Sequence, residues 1–352
     1  MTPHAEVSQL PAVRRKPTVD WMTWSLLLVV LALAWVFRSM NLYGWDGTSN
    51  LHPDERFIVY TAYNLRVPGS FGDYLRSSCV RDGVLPEPQK TQDAGVPLPV
   101  ERQEPTVNSG CNTLNPRNYN WSRMFVYGTL PTSLVRVVAE ARDRMAGRDG
   151  STVTPVEIRD IGRTQSALFD MGSVLLVFLI GRRLYGSRAG LLAALFLATA
   201  ALPIQLAHFF TVDAATGFFT LLSIYWAVRA AQGGGIGAFV MLGVAIGAAM
   251  ACRITMATLG VTGMLAVAVR VWGERVRGDT PFAPGWWLPP LPRLVRDVAW
   301  LVVAGVVSLV SFRLLAPDSF VGTSLLDVRP EPRFLENIQQ VSGYISGKID
   351  AP

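Results

Sequence analysis

Apolar runs of about 15–20 residues recur along this chain. The first, "WMTWSLLLVVLALAWVF", covers Trp21 to Phe37. Its 17 residues are at the short end for crossing a hydrocarbon layer about 30 Å thick. A cleaved leader is the competing reading, but no small-residue cleavage site follows. Tryptophans at both ends suit interfacial anchors, so the run is predicted to be a retained span. Six further spans are predicted at Thr164–Ile180, Ala189–Ala207, Ala214–Val228, Ile236–Cys252, Ile254–Val269 and Val298–Leu315. The apolar stretch from Ile236 to Val269 is interrupted only by Arg253 and is too long for one crossing, so it divides there, although no Gly or Pro marks the turn.

Basic residues give this series a direction. Arg14, Arg15 and Lys16 precede the first run, "GRRLYGSR" separates the second and third, and Arg229 ends the fourth. Arg270, Arg275, Arg277, Arg293 and Arg296 lie between the sixth and seventh. With seven alternating spans all of these share one side, which the positive-inside rule makes cytoplasmic. The expected organisation is a cytoplasmic tail at 1–20, a transmembrane bundle at 21–317 with a long external loop at 38–163, and an external segment at 318–352 that continues in a longer protein. The fold class is all-α and polytopic, and the localisation a multi-pass plasma (inner) membrane.

Composition agrees. Half of the 352 residues are hydrophobic and 16% are charged, below the quarter or so usual for soluble domains. The net charge of +6 comes from scattered arginines, with Lys16, Lys90 and Lys348 the only lysines. No basic stripe points to nucleic acid, and none is expected as a partner. Cys252 lies in an apolar run; whether Cys79 and Cys111 pair in the external loop is open. Asn120 begins an "NWS" triplet. The loop's end, "NPRNYNWSRMFVYGTLPTSLVRVVAEA", is expected to lie on the membrane as a short helix, with Pro131 as a break.

The chemistry concentrates in "NLHPDERFIVY", a dozen residues past the first run. His52, Asp54, Glu55 and Arg56 crowd beside a bilayer, where charges need water, a partner or a task. Neighbouring residues point in different directions, so Asp54 and Glu55 do not form a dyad: one can face a cleft while the other bonds its support. The plain alternative is a helix beginning near Pro53 with acids in its first turn.

"LHPDERF" after a first transmembrane helix resembles the polyprenyl-phosphate-dependent glycosyltransferases of the GT-C fold, closest to the protein-mannosyltransferase and aminoarabinose-transferase superfamily, family 39. "YGTLP" (Tyr127–Pro131), "HFFTVDAATGFF" (His208–Phe219) and "GAAMACRITM" ending on Arg253 extend the likeness from Arg38 to Pro317. The resemblance implies a GT-C-like helix bundle with a catalytic Asp-Glu pair in its first external loop, matched by Asp54 as general base and Glu55. It also implies a sugar donor on a lipid phosphate and a glycan, lipid or protein acceptor. There are two departures. Phe57 stands where many relatives carry a basic or imidazole residue, with Arg56 before it. Relatives also have eleven or more spans, so this chain is expected to be a fragment or to be completed by a second chain.

A carboxylate suits an oxocarbenium-like sugar and an acceptor proton, and guanidinium groups suit a departing phosphate. Arg56, Arg123 and Arg253 are the candidate phosphate ligands. For Arg253 two readings stand: it faces a polar cavity, or it snorkels to the interface. His52, His208 and Asp213 are candidates for acceptor contact or support, with Asp213 as a helix N-cap the plainer reading. Asp170 inside the second span is expected to pair with a neighbouring helix. No resident cofactor is expected, and a metal ion is disfavoured, since the chain has only three histidines and catalytic sites use at least three ligands. No nucleotide loop, dinucleotide fingerprint or hydrolase motif appears. Two readings from other classes remain: a transporter or flippase that breaks no bond, and a structural subunit. The expected function is inverting sugar transfer on the non-cytoplasmic face, among membrane lipids.

Overall fold

The computed structural model describes residues 20–46, 52–76, 112–118, 125, 127–276 and 291–347. Among these, twelve α-helices and short 3₁₀ turns make up the fold, and no strand forms. Each of the seven apolar runs is helical. Helix α1 is Trp21–Ser39, α5 Pro155–Tyr185, α8 Asp213–Ala231, α9 Ile236–Cys252, α10 Gly260–Val276 and α11 Leu291–Leu315. Among the described residues five helices are long and apolar enough to cross a membrane, and a bent pair makes a sixth; α9 is apolar but shorter.

The bent pair is α6 (Ser187–Thr199) and α7 (Ala201–Ala207), turned by 59°. Pro203 in the first turn of α7 has no N–H to give, so carbonyls near the break need other donors. Arg38, at the end of α1 and fully buried, supplies them: its guanidinium donates to the Ala198 and Leu197 carbonyls at 2.9 and 3.2 Å. It also pairs with Asp170 of α5. Asp170 therefore does pair with a neighbouring helix, and its partner lies 132 positions away. In an apolar surrounding such a pair satisfies two charges that lipid cannot.

Helix α9 lies flat on α11. A Cβ at Gly243 or Gly247, one turn apart, would come within 2.4 or 2.5 Å of the Ala304 or Ser308 carbonyl oxygen. Small residues let two backbones approach where no water is available to drive packing. At one end of the bundle Arg182, Arg229 and Arg296 stack on Trp24, Trp226 and Trp300. Arginine over tryptophan suits an interface, apolar below and polar above.

The candidate site lies at the opposite end, where α1 ends and α5 begins. Here α2 (Pro53–Asn64), α3 (Phe71–Leu75) and α4 (Leu130–Met145) cover the bundle, and α12 (Pro332–Ile345) follows the last apolar helix. Pro131 starts α4 rather than breaking it, because a first-turn proline loses no intrahelical bond. A small core of Ile58, Val59, Val135, Ile158 and Phe210 packs α2 and α4 onto α5. Arg123, Asn120, Cys79 and Cys111 lie outside the described residues.

Candidate active site

Helix α2 begins at Pro53 with His52 as its cap residue, so Asp54 and Glu55 occupy its first turn. At about 3.6 residues per turn they diverge by about 100°, and their surroundings separate accordingly. Glu55 is fully buried and bound on both oxygens by Arg163 of α5, at 2.7 and 2.8 Å. It also accepts the Phe210 backbone N–H at 2.8 Å. Arg163 in turn holds Asp46 at 2.8 Å and the Leu42 carbonyl at 3.2 Å. This knot joins the end of α1, α2, α5 and the His208–Asp213 turn. Glu55 thereby fixes the helix that presents Asp54.

Asp54 is half-buried and faces the other way, accepting a hydrogen bond from the Tyr127 hydroxyl. Burial, and next the Asp54 carboxylate, push the Tyr127 phenol up to about 12. Tyr127 is set by its neighbours: its ring packs 6.3 Å from Phe57 and 6.0 Å from Phe125. The next residue, Gly128, donates its N–H to the Cys252 carbonyl at 2.8 Å. That contact brings the loop against the end of α9, whose C-cap is Arg253.

Arg253 answers the question of the unmarked turn. Its backbone is extended (φ −157°, ψ 117°), which ends α9 before the 3₁₀ turn Ile254–Leu259 without any Gly or Pro. Its side chain, 41% exposed, lines a cavity of about 490 Å³ and pairs with Asp213 at 3.0 Å. Asp213 is the first residue of α8 rather than its cap. Tyr127 feels the charges of Asp54, Arg253 and Asp213 together, so the four groups form one cluster.

The cavity's other walls are Arg117, Phe125, Ile254 and one face of α12 at Phe334, Asn337 and Ile338. Arg117 pairs with Asp318 at 2.7 Å, and Thr129 donates to the same carboxylate at 2.5 Å. The Arg117 Nε–H is buried without a partner among the described residues. Arg333 of α12 donates to the Arg117 carbonyl at 2.6 Å, which docks that helix as a wall. Residues after Pro317 thus belong to the site, not to a detached tail.

Not every candidate from the sequence meets here. Arg56 is exposed on α2 and does not line the cavity. His208 is buried, with its ring nitrogens 2.8 and 3.2 Å from the Ile204 and Met40 carbonyl oxygens, so the ring faces backbone rather than the cavity. The His52 ring lies 4.6 Å from that of Phe209. No cluster of three or more metal-ligating side chains forms among the described residues. Tyr127, Arg117, Arg163 and Asp318 were not among the predicted site residues. The "YGTLP" motif contained the signal for Tyr127, an aromatic joined to a glycine that permits close approach.

Comparison with known proteins agrees with this architecture. Residues 160–286 match the family model for dolichyl-phosphate-mannose-protein mannosyltransferase. No curated protein matches the sequence. Among solved structures, the chain is similar to the S. cerevisiae protein O-mannosyltransferase Pmt1-Pmt2 complex bound to the sugar donor, with a TM-score of 0.53 and 13% identity. That match covers 87% of this chain and 35% of the other, so this chain spans about a third of the solved one. The Archaeoglobus fulgidus oligosaccharyltransferase in its apo form aligns at a TM-score of 0.46 and 11% identity, covering 95% of this chain and 38% of that one. The chain is an integral, multi-pass, all-α membrane protein of the GT-C fold, related to membrane glycosyltransferases.

Proposed function

We propose that this chain carries the catalytic site of an inverting glycosyltransferase that takes its sugar from a polyprenyl phosphate. The observation that carries the reading is the Asp54–Tyr127–Arg253 cluster beside a cavity at the end of the apolar bundle. An acceptor hydroxyl gives its proton to the Asp54 carboxylate as its oxygen bonds to the anomeric carbon. The bond from that carbon to the phosphate breaks on the opposite face, and the phosphate leaves with both electrons. Arg253 receives the leaving group by releasing Asp213, and its fork suits phosphate oxygens. Charge on the oxocarbenium-like sugar is met by Asp54. Glu55 is a positioning residue, since its oxygens are held by Arg163 and Phe210. The membrane is the plasma (inner) membrane with the site on its non-cytoplasmic face. The acceptor is a glycan, lipid or protein.

The test is transfer from a labelled polyprenyl-phosphate sugar by the purified protein and by Asp54→Asn. Loss of about 10²–10⁴-fold in rate, with membrane insertion and melting unchanged, is expected for a general base. Full transfer by Asp54→Asn rejects the assignment. Translocation of intact donor without bond cleavage moves the protein to the transporter class.

A further inference from the structure

A second groove, of about 820 Å³, runs between α4 and α5 and shares no lining residue with the cavity lined by Tyr127 and Arg253. Its polarity is graded along the helix axes. Leu168, Phe169 and Phe218 line the part beside the apolar run of α5, while Tyr43, Thr164 and Arg142 line the other part. Tyr43 and Trp45, 50% and 43% exposed just past α1, mark one interface; Trp21, 76% exposed, marks the other. The groove therefore straddles the interface at the site end of the bundle.

Helix α4, which forms one wall, is amphipathic in reverse. Its Arg136 and Glu140 are buried and paired at 2.8 Å, while Leu134, Val137 and Val138 face outward at 38%, 40% and 43% exposure. Such a face suits acyl chains rather than water. The charges nearby are mostly spoken for. Arg144 and Arg148 pair with Glu140 and Asp143, and the groove's carboxylate, Asp160, is held by Arg159 at 2.8 Å. Arg142 is exposed, and none of its bonds is to a carboxylate among the described residues. The Tyr43 and Thr164 hydroxyls, 3.0 Å apart, stand at the same polar end.

We infer that this groove binds one anionic glycerophospholipid of the surrounding bilayer. Its acyl chains lie along Leu168, Phe169 and Phe218, and its headgroup phosphate meets Arg142. The occupant is an amphiphile because the groove passes from apolar to cationic across the interface. It is a bilayer lipid rather than a reactant because the groove shares no lining residue with the cavity of Tyr127 and Arg253. This inference is independent of the catalytic reading: it holds or fails whether or not sugar is transferred.

Native mass spectrometry of the full chain, released from detergent with equal phosphatidylglycerol and phosphatidylcholine, tests it. The expected result is one retained lipid with about fivefold preference for phosphatidylglycerol, the effect of one basic side chain on an anionic lipid. Arg142→Gln should bring that ratio to parity. Leu168→Trp, which fills the apolar part, should lower retention of both lipids. Arg229→Gln, at the opposite end, should leave the ratio unchanged. A preference that survives Arg142→Gln overturns the proposal, as does the absence of any retained lipid. So does displacement of phosphatidylglycerol by an equimolar polyprenyl phosphate, which would make the groove a track for that tail instead.

Discussion

Replacing Gly128 by alanine puts one methyl group where the Tyr127 loop meets the end of α9. An ideal Cβ there lies 2.1 Å from the Ala251 carbonyl oxygen and 2.5 Å from the Cys252 carbonyl carbon. Cβ contacts below 3.0 Å essentially never occur, so the two backbones must part by at least 0.9 Å. Neither obstacle is a side-chain tip that can swing aside. Overpacking of this kind costs about 1–3 kcal/mol. Losing the 2.8 Å Gly128–Cys252 hydrogen bond adds about 1–3 kcal/mol if its groups find no new partner. The summed loss is about 2–6 kcal/mol. Tyr127 moves with the loop, away from Asp54 and Arg253, and a displacement near 1 Å costs about 10²-fold in rate. Thermal unfolding in detergent and steady-state transfer from a polyprenyl-phosphate sugar read the two effects separately. A Gly128→Ala protein that melts and turns over like the parent refutes the contact argument. One that is less stable but equally fast refutes the importance of Tyr127's placement.

Three further outcomes are expected. Glu55→Gln leaves Arg163 with Asp46 as its remaining carboxylate and should cost about 3 kcal/mol in stability; Asp54→Asn, one position earlier but outside that knot, should melt normally. Arg38→Met should destabilise the bundle by about 3–5 kcal/mol by stranding Asp170, while the double change Arg38→Met with Asp170→Leu should recover most of that loss, and a melt of the pair that is no better than the single variant argues against it. Tyr127 is raised from its ordinary value to about 12 by burial and by Asp54. The stability that its neutral hydroxyl contributes is therefore complete below pH 10 and falls as pH rises toward 12. Tyr127→Phe should flatten melting against pH in that window, and an unchanged slope counts against the assigned environment.

Local pattern revealed what local physics determines. Lipid demands long apolar runs, so every major apolar helix was visible in the sequence, and Arg253 marked the end of α9 because a charge is costly there. Charge crowding likewise singled out the start of α2. What stayed hidden depends on partners far away in the chain. Nothing near Asp54 and Glu55 tells which of the two will meet Arg163, 108 positions beyond Glu55. The Asp170 partner could not be found from Arg163 two turns earlier, because Arg38 reaches it from another helix. The return of α12 over the cavity rests on Arg333, Arg117 and Asp318, each unremarkable in its own stretch.

Arg313, fully buried at the end of α11, holds no carboxylate among the described residues but donates to the carbonyls of Leu75, Pro317, Gly322, Ser324 and Asp327. It binds the end of α3 to the chain beyond the last apolar helix, with 238 positions between Arg313 and Leu75. A ribosome adding about 5–20 residues per second needs roughly ten to fifty seconds to cover that interval. During biosynthesis the early loop must therefore wait, its carbonyls solvated or chaperoned, until the last helix delivers the cation that fastens it.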